Sequence, residues 1–407
     1  MIDFELTKTQ QQIREMAHQF AKYAVRPISL EADRTHRIPD EFMQRLADMR
    51  GLMTQGEVPK EYGGEGAGAG ELKDKKGKTQ KNRTALVGAE EMAWGDISVI
   101  MSLPGPGLGG PPVEFTGTPE QKERFFSVFK QPGLHWGAYG LTEPGAGSDV
   151  AGIRTTCRKE GKHWVLNGRK CYITNGARAD WVVVFATVDP ALGRAGHRTF
   201  VVEKGTPGFS VGKIEDKMGI RASETAELVL DECRVPEENL LGGEASYEGR
   251  SKEGFMAAMK TFDSSRPMVA VLGLGIARAA WEAARDFVKQ NYLLARPIPR
   301  YAQIAETLAR GKRALDAGRL LCWRAAWMAD EGLPNAKEAS MAKAYAARAA
   351  MTVCRDAVQL LGAEGLEENR LVEKWYRDIK VFDIFEGTGQ VQRIVISKRI
   401  LKEPPSF

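Results

Sequence analysis

A glycine-rich segment, YGLTEPGAGSDV (Tyr139 to Val150), carries residue types that suit main-chain binding of a polar group. Thr142 and Ser148 supply hydroxyls, and Gly145 and Gly147 expose main-chain amides with little side-chain bulk. A cradle for a phosphate or for the polar edge of a ring requires this combination. Taken alone, the string is equally typical of an ordinary turn.

A second segment, CYITNG (Cys171 to Gly176), places an aromatic side chain close to a hydroxyl. Tyr172 stands two residues before Thr174 in a run that has the alternating pattern of a strand. By itself this pattern is more typical of core packing with a surface threonine. The pair gains meaning only together with other motifs.

Several other kinds of chemistry find no support in the sequence. The five cysteines are far apart without a Cys-x-x-Cys pair, which predicts neither disulfides nor a zinc site and favours a reducing compartment. The five histidines show no metal-ligand spacing. Gly273-Leu274-Gly275 lies in a helical pattern, with Arg278 where a dinucleotide fingerprint needs its third glycine, so we predict no Rossmann site. Neither a nucleophile elbow nor a P-loop is present.

The elements that must position these residues follow the order helical, β, helical. Short β-rich runs occupy the stretch from Trp136 to Gly243, with Asn167-Gly168 and Asn175-Gly176 as hairpin-type turns. Long helical patterns return afterwards. They are predicted over Ser264 to Gln290, Ile304 to Asp330, Ala336 to Leu361 and Val372 to Ile384. Because the alternation of a βαβ sheet is absent, the chain reads as α+β.

Two loops stand out by composition. The glycines and prolines of Pro104 to Pro112 predict a loop, because they do not suit a helix interior. The basic insert Glu71 to Arg83 predicts a solvated surface loop, and the alternative is a loop that approaches an anionic ligand or a partner.

Composition limits the class of protein. The 407 residues carry 58 Lys and Arg against 53 Asp and Glu, a net charge of +5, and 43 glycines. This mild basic excess fits anionic small molecules better than a nucleic acid, so we expect no nucleic-acid partner. No run approaches the ~18 apolar residues of a membrane span, and the first 20 residues have no signal core. We therefore expect no membrane span and a cytoplasmic location.

Five motifs in fixed order resemble the acyl-CoA dehydrogenase family. Besides the two segments above, they are KMGIRASETAELVLDECRVPEENLLG (Lys217 to Gly242), FDSSRP (Phe262 to Pro267) and the long string from Asp356 to Arg393 that contains IFEGTGQ. The resemblance covers the chain from the first helix to Ile400. It implies an N-terminal helical domain (1–135), a middle β-barrel-like domain (136–246) and a C-terminal four-helix bundle (247–407).

The resemblance also implies bound FAD and names the residues that would hold it. Leu141 and Thr142 would hydrogen-bond the flavin ring edge, Tyr172 would face the isoalloxazine, and Thr174 would meet its N5/O4 side. The full set of implied cofactor-binding residues is Tyr139, Leu141, Thr142, Gly147, Ser148, Tyr172, Ile173, Thr174, Gln359, Gly362, Thr388 and Gln390. The residues matching substrate-binding positions are Ser148, Phe262, Asp263, Arg266 and Gly387. No metal is implied.

Glu386 matches the family's catalytic base. An isolated Glu near a helix start would usually cap the helix or face its dipole. Removal of a thioester α-proton needs a stronger base than an aqueous carboxylate, and burial against Phe385 and the flavin would raise the pKa of Glu386 above its reference of ~4.3. Family members that carry the base on the earlier helix have it where this chain has Ser265, so the resemblance is to the branch with the late Glu.

The sequence departs from the family on the ADP half of the cofactor. The family's Arg-x-x-Phe-Gly reads Asn291-Tyr292-Leu293-Leu294-Ala295, a later Gln is Ala302, and the second Gly of Gln-x-x-Gly-Gly is Ala363. These changes put the tightness of FAD binding and the usual subunit interface in question. Arg296 or Arg300 would be the nearest replacement cation.

The resemblance therefore implies FAD-dependent α,β-dehydrogenation of an acyl-CoA in fatty acid metabolism, with electrons passed to an electron-transferring flavoprotein. We expect a homo-oligomer, a dimer or tetramer. The motifs do not distinguish acyl chain lengths, or CoA from an acyl-carrier protein. One alternative is a cofactor-poor subunit that completes a hetero-oligomer with a catalytic relative. Another is a flavin oxidase or monooxygenase on the same fold.

Overall fold

The computed structural model describes residues 2, 4–48, 80–250, 253–291 and 301–402. Within these ranges, only the backbone is described for residues 47, 48, 248–250, 253–264 and 301. The described elements run in the order predicted from the sequence: helices, then a curled sheet, then helices. The predicted α+β class and the three-part order of a helical, a β and a helical region are confirmed.

The N-terminal helices pack between the sheet and the C-terminal helices. Helix α1 begins at a capping box in which Thr7 and Gln10 satisfy each other's main-chain amides, as expected of a Thr-x-x-Gln start. Ten of the fifteen residues of α4 are buried, because it lies against the first long C-terminal helix. The helices are α1 (Lys8–Phe20), α2 (Ser29–Thr35), α3 (Asp40–Asp48), α4 (Lys81–Gly95), α5 (Ile97–Ser102), α6 (Gly110–Thr116) and α7 (Pro119–Ser127).

The middle of the chain forms a seven-stranded sheet. Its strands are β1 (Gly137–Gly140), β2 (Thr156–Glu160), β3 (His163–Thr174), β4 (Trp181–Thr187), β5 (His197–Glu203), β6 (Phe209–Ile214) and β7 (Thr225–Pro236). The order is β1-β4-β2-β3-β7-β6, with β5 paired to β4. Every residue of β4 is buried, which explains why its sequence is a continuous apolar run rather than an alternation.

One predicted turn is wrong. Asn167-Gly168 lies inside β3, at a register shift opposite β7, and not between two strands. Gly168 has φ +155°, and a Cβ there would approach Thr155 Oγ1 to 2.4 Å, so the bulge itself requires glycine. The hairpin of this region joins β2 to β3 through Gly161, whose φ is +59°. Asn175-Gly176 is a turn, but β3 and β4, which it connects, do not pair.

Long helices form the last part of the chain. They are α8 (Glu253–Asn291), α9 (Tyr301–Asp330), α10 (Ala336–Leu361), α11 (Leu371–Asp378) and α12 (Gly389–Ile400). Gly275 lies inside α8, where a Cβ would come within 2.4 Å of the Glu90 carbonyl, so close helix packing rather than a dinucleotide site explains this glycine. Within the described ranges, Ser265–Asn291 is long and apolar enough to cross a membrane, yet 72 % of its most apolar window is buried inside the protein.

A buried charge cluster joins all three parts of the chain. Lys374 Nζ on α11 lies 2.8 Å from Asp96 Oδ2 and 2.6 Å from Asp378 Oδ2, and all three side chains are at most 1 % exposed. The Ile220 amide donates to Asp378 Oδ1 at 2.5 Å, and Ser29 donates to Asp96. This cluster fixes the end of α11, from which the chain continues towards Glu386.

Three further expectations need correction. The Pro104 to Pro112 loop contains a 3-10 turn and the first turn of α6, where prolines are tolerated because the first helical amides have no partner. The predicted helix Val372 to Ile384 changes from α to 3-10 geometry after Asp378. Helix α12 was not predicted. Of the basic insert, residues 71–79 lie outside the described residues, and Arg83 is no surface residue but pairs in a buried position with Asp330.

Candidate active site

Glu386 occupies an unusual backbone position at the junction between α11 and α12. After a 3-10 turn over Ile379–Asp383, Glu386 has φ +51° and Gly387 has φ +89°. A non-glycine residue in the left-handed region costs of order 1–3 kcal/mol and persists only where the surroundings hold it. Thr388 then caps α12 by accepting a hydrogen bond from the Val391 amide at 3.3 Å.

The Glu386 carboxylate points at α8. Ser265 Oγ donates to Glu386 Oε2 at 2.7 Å. Burial raises the pKa of Glu386, and the Ser265 hydrogen bond and the charges of Lys343 and Arg266 oppose that rise. Tyr139, on β1, is close enough that the Glu386 charge adds to the burial that raises the pKa of its phenol. The result is a partly desolvated carboxylate with a raised pKa, the state that a general base at neutral pH requires.

Two buried side chains hold the backbone of this junction. Lys343 Nζ, on α10, donates to the Gly387 carbonyl at 2.7 Å. Gln392 Nε2, on α12, donates to the carbonyls of Glu386 and Gly387 at 3.1 and 3.0 Å. Both Lys343 and Gln392 are 0 % exposed. A Cβ on Gly387 would come within 2.5 Å of Gln392 Nε2, so this position requires glycine for space as well as for its φ.

The glycine-rich segment from Tyr139 to Val150 and the segment from Cys171 to Gly176 lie side by side. The Cys171 amide donates to the Thr142 carbonyl at 2.9 Å. Lys170, which is fully buried, donates to the Leu141 carbonyl at 3.3 Å and to Glu143 Oε1 at 2.7 Å. The carboxylate of Glu143 in turn accepts main-chain hydrogen bonds from residues 154 and 155. A buried ion pair therefore fixes the shape of the glycine-rich segment.

The outer side of these segments is open. Among the described residues, a Cβ added to Gly145 or Gly147 would meet no atom within 4 Å, and Ser148 is exposed. Tyr172 is 66 % exposed although its backbone is held at φ +59°. An exposed ring in a strained conformation beside open main-chain groups fits a flat, polar-edged ligand such as a flavin ring.

The other predicted cofactor residues differ in exposure. Leu141 and Ile173 are buried, and Thr142 and Thr174 are half-buried. Gln359 and Gly362, at the end of α10, and Gln390, in the first turn of α12, are exposed. The structure therefore groups Tyr139 to Ser148 with Tyr172 to Thr174, and it places Tyr139 within electrostatic range of Glu386. Gln359 and Gly362 lie at the C-terminal end of α10.

The predicted substrate residues are described only in part. Arg266 is half-buried and its Nη1 donates to Ser340 Oγ at 3.4 Å. The side chains of Phe262 and Asp263 lie outside the described residues. On the ADP half, Asn291 ends α8 exposed, with its Nδ2 bonded to the Phe287 carbonyl at 2.9 Å. Leu294, Ala295, Arg296 and Arg300 also lie outside the described residues, and Ala363 is exposed.

Sequence reasoning missed four residues that support this site: Lys170, Glu143, Lys343 and Gln392. The sequence carries one signal for Lys343, which is its position at helical spacing from the alanines that form the buried stripe of α10. A lysine on an apolar stripe is rarely buried without a specific partner. Within the described ranges, no group of three or more His, Cys, Asp or Glu residues is placed to hold a metal ion.

Comparison with known proteins gives matches along the whole chain. Family models for acyl-CoA dehydrogenase match as the N-terminal domain over residues 7–129, the middle domain over 138–233 and the C-terminal domain over 252–401. The chain is 38 % identical over 405 residues to the short-chain specific acyl-CoA dehydrogenase of Clostridium acetobutylicum, covering 98 % of this chain and 100 % of that protein.

Solved structures agree. The butyryl-CoA dehydrogenase of Megasphaera elsdenii superposes with a TM-score of 0.85 at 36 % identity, covering 98 % of this chain and 100 % of that chain. A chain in a structure described as the electron transferring flavoprotein of Acidaminococcus fermentans matches with a TM-score of 0.86 at 37 % identity, covering 99 % and 100 %.

Proposed function

Because this chain belongs to the acyl-CoA dehydrogenase family, we propose that it oxidises a short-chain acyl-CoA between its α and β carbons, with Glu386 as the base. The observation that carries the assignment of the base is the Glu386 carboxylate itself. It is partly desolvated, it is bonded at 2.7 Å to Ser265, and it lies beside Tyr139 of the segment that would line the flavin.

The chemistry follows from that environment. A carboxylate that has lost water is a stronger base, and Glu386 takes up the α-proton that the thioester loses. The hydrogen bond from Ser265 keeps the carboxylate in one orientation before substrate binds. This preorganisation lowers the entropic cost of reaching a reactive geometry. Arg266 and Lys343 lie close enough to oppose the burial-driven rise in the pKa of Glu386, which keeps the base ionised at a lower pH than burial alone would allow.

FAD is the cofactor of this family, and the residues present fit its ring. The open main chain at Gly145 and Gly147 and the exposed ring of Tyr172 would hold the isoalloxazine, with Leu141 and Thr142 at its polar edge. When bound, FAD supplies the acceptor for the β-hydrogen, which leaves as hydride. Gln359, Gly362, Thr388 and Gln390 would meet the rest of the cofactor. The departures at Asn291 and Ala363 predict weaker retention of the ADP half than in relatives with the full pattern.

The substrate size and partners extend this proposal. The relatives named above include a short-chain specific dehydrogenase and a butyryl-CoA dehydrogenase, which favours a short acyl group here. Ser148, Phe262, Asp263 and Arg266 would hold the CoA moiety. We propose an electron-transferring flavoprotein as the electron acceptor, a homotetramer as the assembly and the cytoplasm as the location.

The visible spectrum of the purified chain tests the function. We expect a flavin spectrum that bleaches when butyryl-CoA or a similar short acyl-CoA is added without oxygen, and more slowly with long-chain acyl-CoAs. A chain that never retains FAD, even when FAD is supplied, supports the cofactor-poor subunit instead. Oxygen consumption that continues without an added electron acceptor supports an oxidase.

A further inference from the structure

The backbone at Glu386 is held in its strained conformation by side chains that come from two different helices. Lys343, on α10, donates to the Gly387 carbonyl, and Gln392, on α12, donates to the carbonyls of Glu386 and Gly387. Because a strained backbone relaxes unless its surroundings over-determine it, these contacts decide where the Glu386 carboxylate points.

Lys343 contributes a charge that Gln392 lacks. Its ammonium is 0 % exposed, and the Gly387 carbonyl, which carries no full charge, accepts its hydrogen bond at 2.7 Å. Burial lowers the pKa of Lys343 to about 8, and the charges of Asp383 and Glu386 oppose that lowering. A buried lysine is costly unless carboxylates compensate it, and Asp383 and Glu386 supply such a charge among the described residues.

We propose that Lys343 is a positioning residue for the base: its ammonium holds the Gly387 carbonyl, fixes Glu386 in the left-handed conformation and places a positive charge beside the carboxylate. This inference rests on the proposed function only where it concerns rate. The interaction between Lys343 and Glu386 exists in the chain whatever its substrate is.

The charged surroundings of Glu386 define what the removal of Lys343 would change. Arg266 faces the carboxylate from α8, Lys343 from α10, and the phenol of Tyr139 from β1. Asp383 faces Lys343 from the segment that carries Glu386. Without Lys343, one of the two cations that lower this pKa among the described residues is lost, so the pKa of Glu386 rises further and the base ionises at higher pH.

The first experiment needs neither substrate nor turnover. Thermal melting is followed from pH 4.5 to 9 in the wild type, Lys343→Met, Glu386→Gln and the double variant. We expect the effect of Glu386→Gln on the melting temperature to extend to higher pH in the Lys343→Met background, since the two side chains are coupled. If the melting-temperature changes of the two single variants add up to that of the double variant at every pH, the proposal is overturned. This result would count against the proposal even if the protein proves to act on no acyl-CoA.

The second experiment measures the reduction of bound FAD by saturating butyryl-CoA in a stopped-flow instrument. We expect Lys343→Met to lower the rate by about 10²-fold, the order that a misplacement of about 1 Å can cost, and to shift the acid limb of the pH profile upward without weakening substrate binding. Lys343→Gln keeps a donor for the Gly387 carbonyl but loses the positive charge. It should recover much of the rate, while the acid limb of its pH profile should remain shifted upward. A Lys343→Met enzyme with the wild-type rate and acid limb would contradict the inference.

Two further variants keep the test decisive. Gln392→Leu removes the second contact to the same carbonyls and leaves the Lys343 charge, so it should lower the rate with no shift of the acid limb. Lys312→Met on α9, where the lysine is exposed and paired with Asp316, should change neither quantity. If Lys343→Met does not fold, Lys343→Gln and Gln392→Leu decide between the two outcomes by the same readouts.

Discussion

Ser265 Oγ lies 2.7 Å from Glu386 Oε2, so the position that the resemblance implies for the base in other branches of the family touches the base proposed for this chain. The two positions are 121 residues apart in the sequence. Their contact means that a carboxylate on either backbone reaches the same volume, and that in this chain the hydroxyl at residue 265 orients the carboxylate at residue 386.

Replacement of Ser265 by alanine should make Glu386 a base that works only at higher pH. The Ser265 hydrogen bond stabilises the ionised form and lowers the pKa of Glu386, so its loss raises that pKa. We expect FAD reduction by butyryl-CoA to fall more at pH 6 than at pH 8.5. Ser127→Ala, which removes an exposed hydroxyl bonded to the Arg124 carbonyl, is the control and should leave the profile unchanged. Equal losses at both pH values would contradict the role of the hydrogen bond.

Glu386→Gln should stabilise the protein at neutral pH. The pKa of Glu386 is raised in the folded protein, so between about pH 4.5 and the folded value the folded chain binds a proton that the unfolded chain has lost. Stability contributed by the protonated form is therefore lost as pH rises through that window. Glutamine keeps an acceptor for Ser265 and does not titrate.

Melting curves against pH check this expectation. The melting temperature of Glu386→Gln should equal that of the wild type near pH 4 and exceed it at pH 8 by a few degrees, since about 1 kcal/mol corresponds to roughly 2–4 °C in domains of 150–250 residues. A difference that shrinks as pH rises would show that the pKa of Glu386 is lowered rather than raised.

Lys374→Met should destabilise the chain severely. The substitution leaves Asp96 and Asp378 buried at 0 % exposure without the ammonium that lies within 2.8 Å of both. Removal of one partner from a buried ion pair typically costs about 3–5 kcal/mol. Urea unfolding measures the loss, and Lys312→Met, which breaks only an exposed pair, should cost less than about 1 kcal/mol. Similar midpoints for the two variants would rule out a stabilising role for the cluster.

Tyr172→Ala should weaken FAD binding without destabilising the chain. Tyr172 is 66 % exposed, and Tyr23, at 68 %, is an equally exposed tyrosine of the N-terminal part. Loss of a ring that stacks on a flavin should cost of order 1 kcal/mol, about tenfold in the dissociation constant. Titration of the apoprotein with FAD measures it, with Tyr23→Ala as the matched control. Equal affinities in the two variants would place the flavin elsewhere.

The sequence predicts the extent of the β region and its more apolar strands, because the burial of these strands follows from their local sequence pattern. The apolar run of β4 is buried throughout, and the alternation in β7 follows its two faces. The prediction of a hairpin turn at Asn167-Gly168 was wrong because turns and bulges both favour glycine. Only the close approach of Gly168 to Thr155 distinguishes the two. Helix α12 escaped detection because it has little apolar periodicity, and Ile394 and Ile400 on it are about half exposed.

The site divides in the same way. Glu386, Tyr172 and the glycine-rich segment could be proposed as site residues because their motifs are continuous in the sequence. Lys343 gives only the weak signal of a lysine on the apolar stripe of α10, and Gln392 gives none, since their roles depend on contacts with the Glu386 and Gly387 carbonyls that form only in the folded chain. Lys170 is similar: its partner Glu143 lies 27 residues away and the pair becomes meaningful only when β3 lies against the segment that follows β1.

The most direct measurement of the central claim is the absorbance of bound flavin in Glu386→Gln after anaerobic mixing with saturating butyryl-CoA. Removal of the base should abolish bleaching while the spectrum still shows FAD and the variant still binds the thioester. The wild type, mixed under the same conditions, should bleach. Bleaching of Glu386→Gln at the wild-type rate would contradict the assignment of Glu386 as the base.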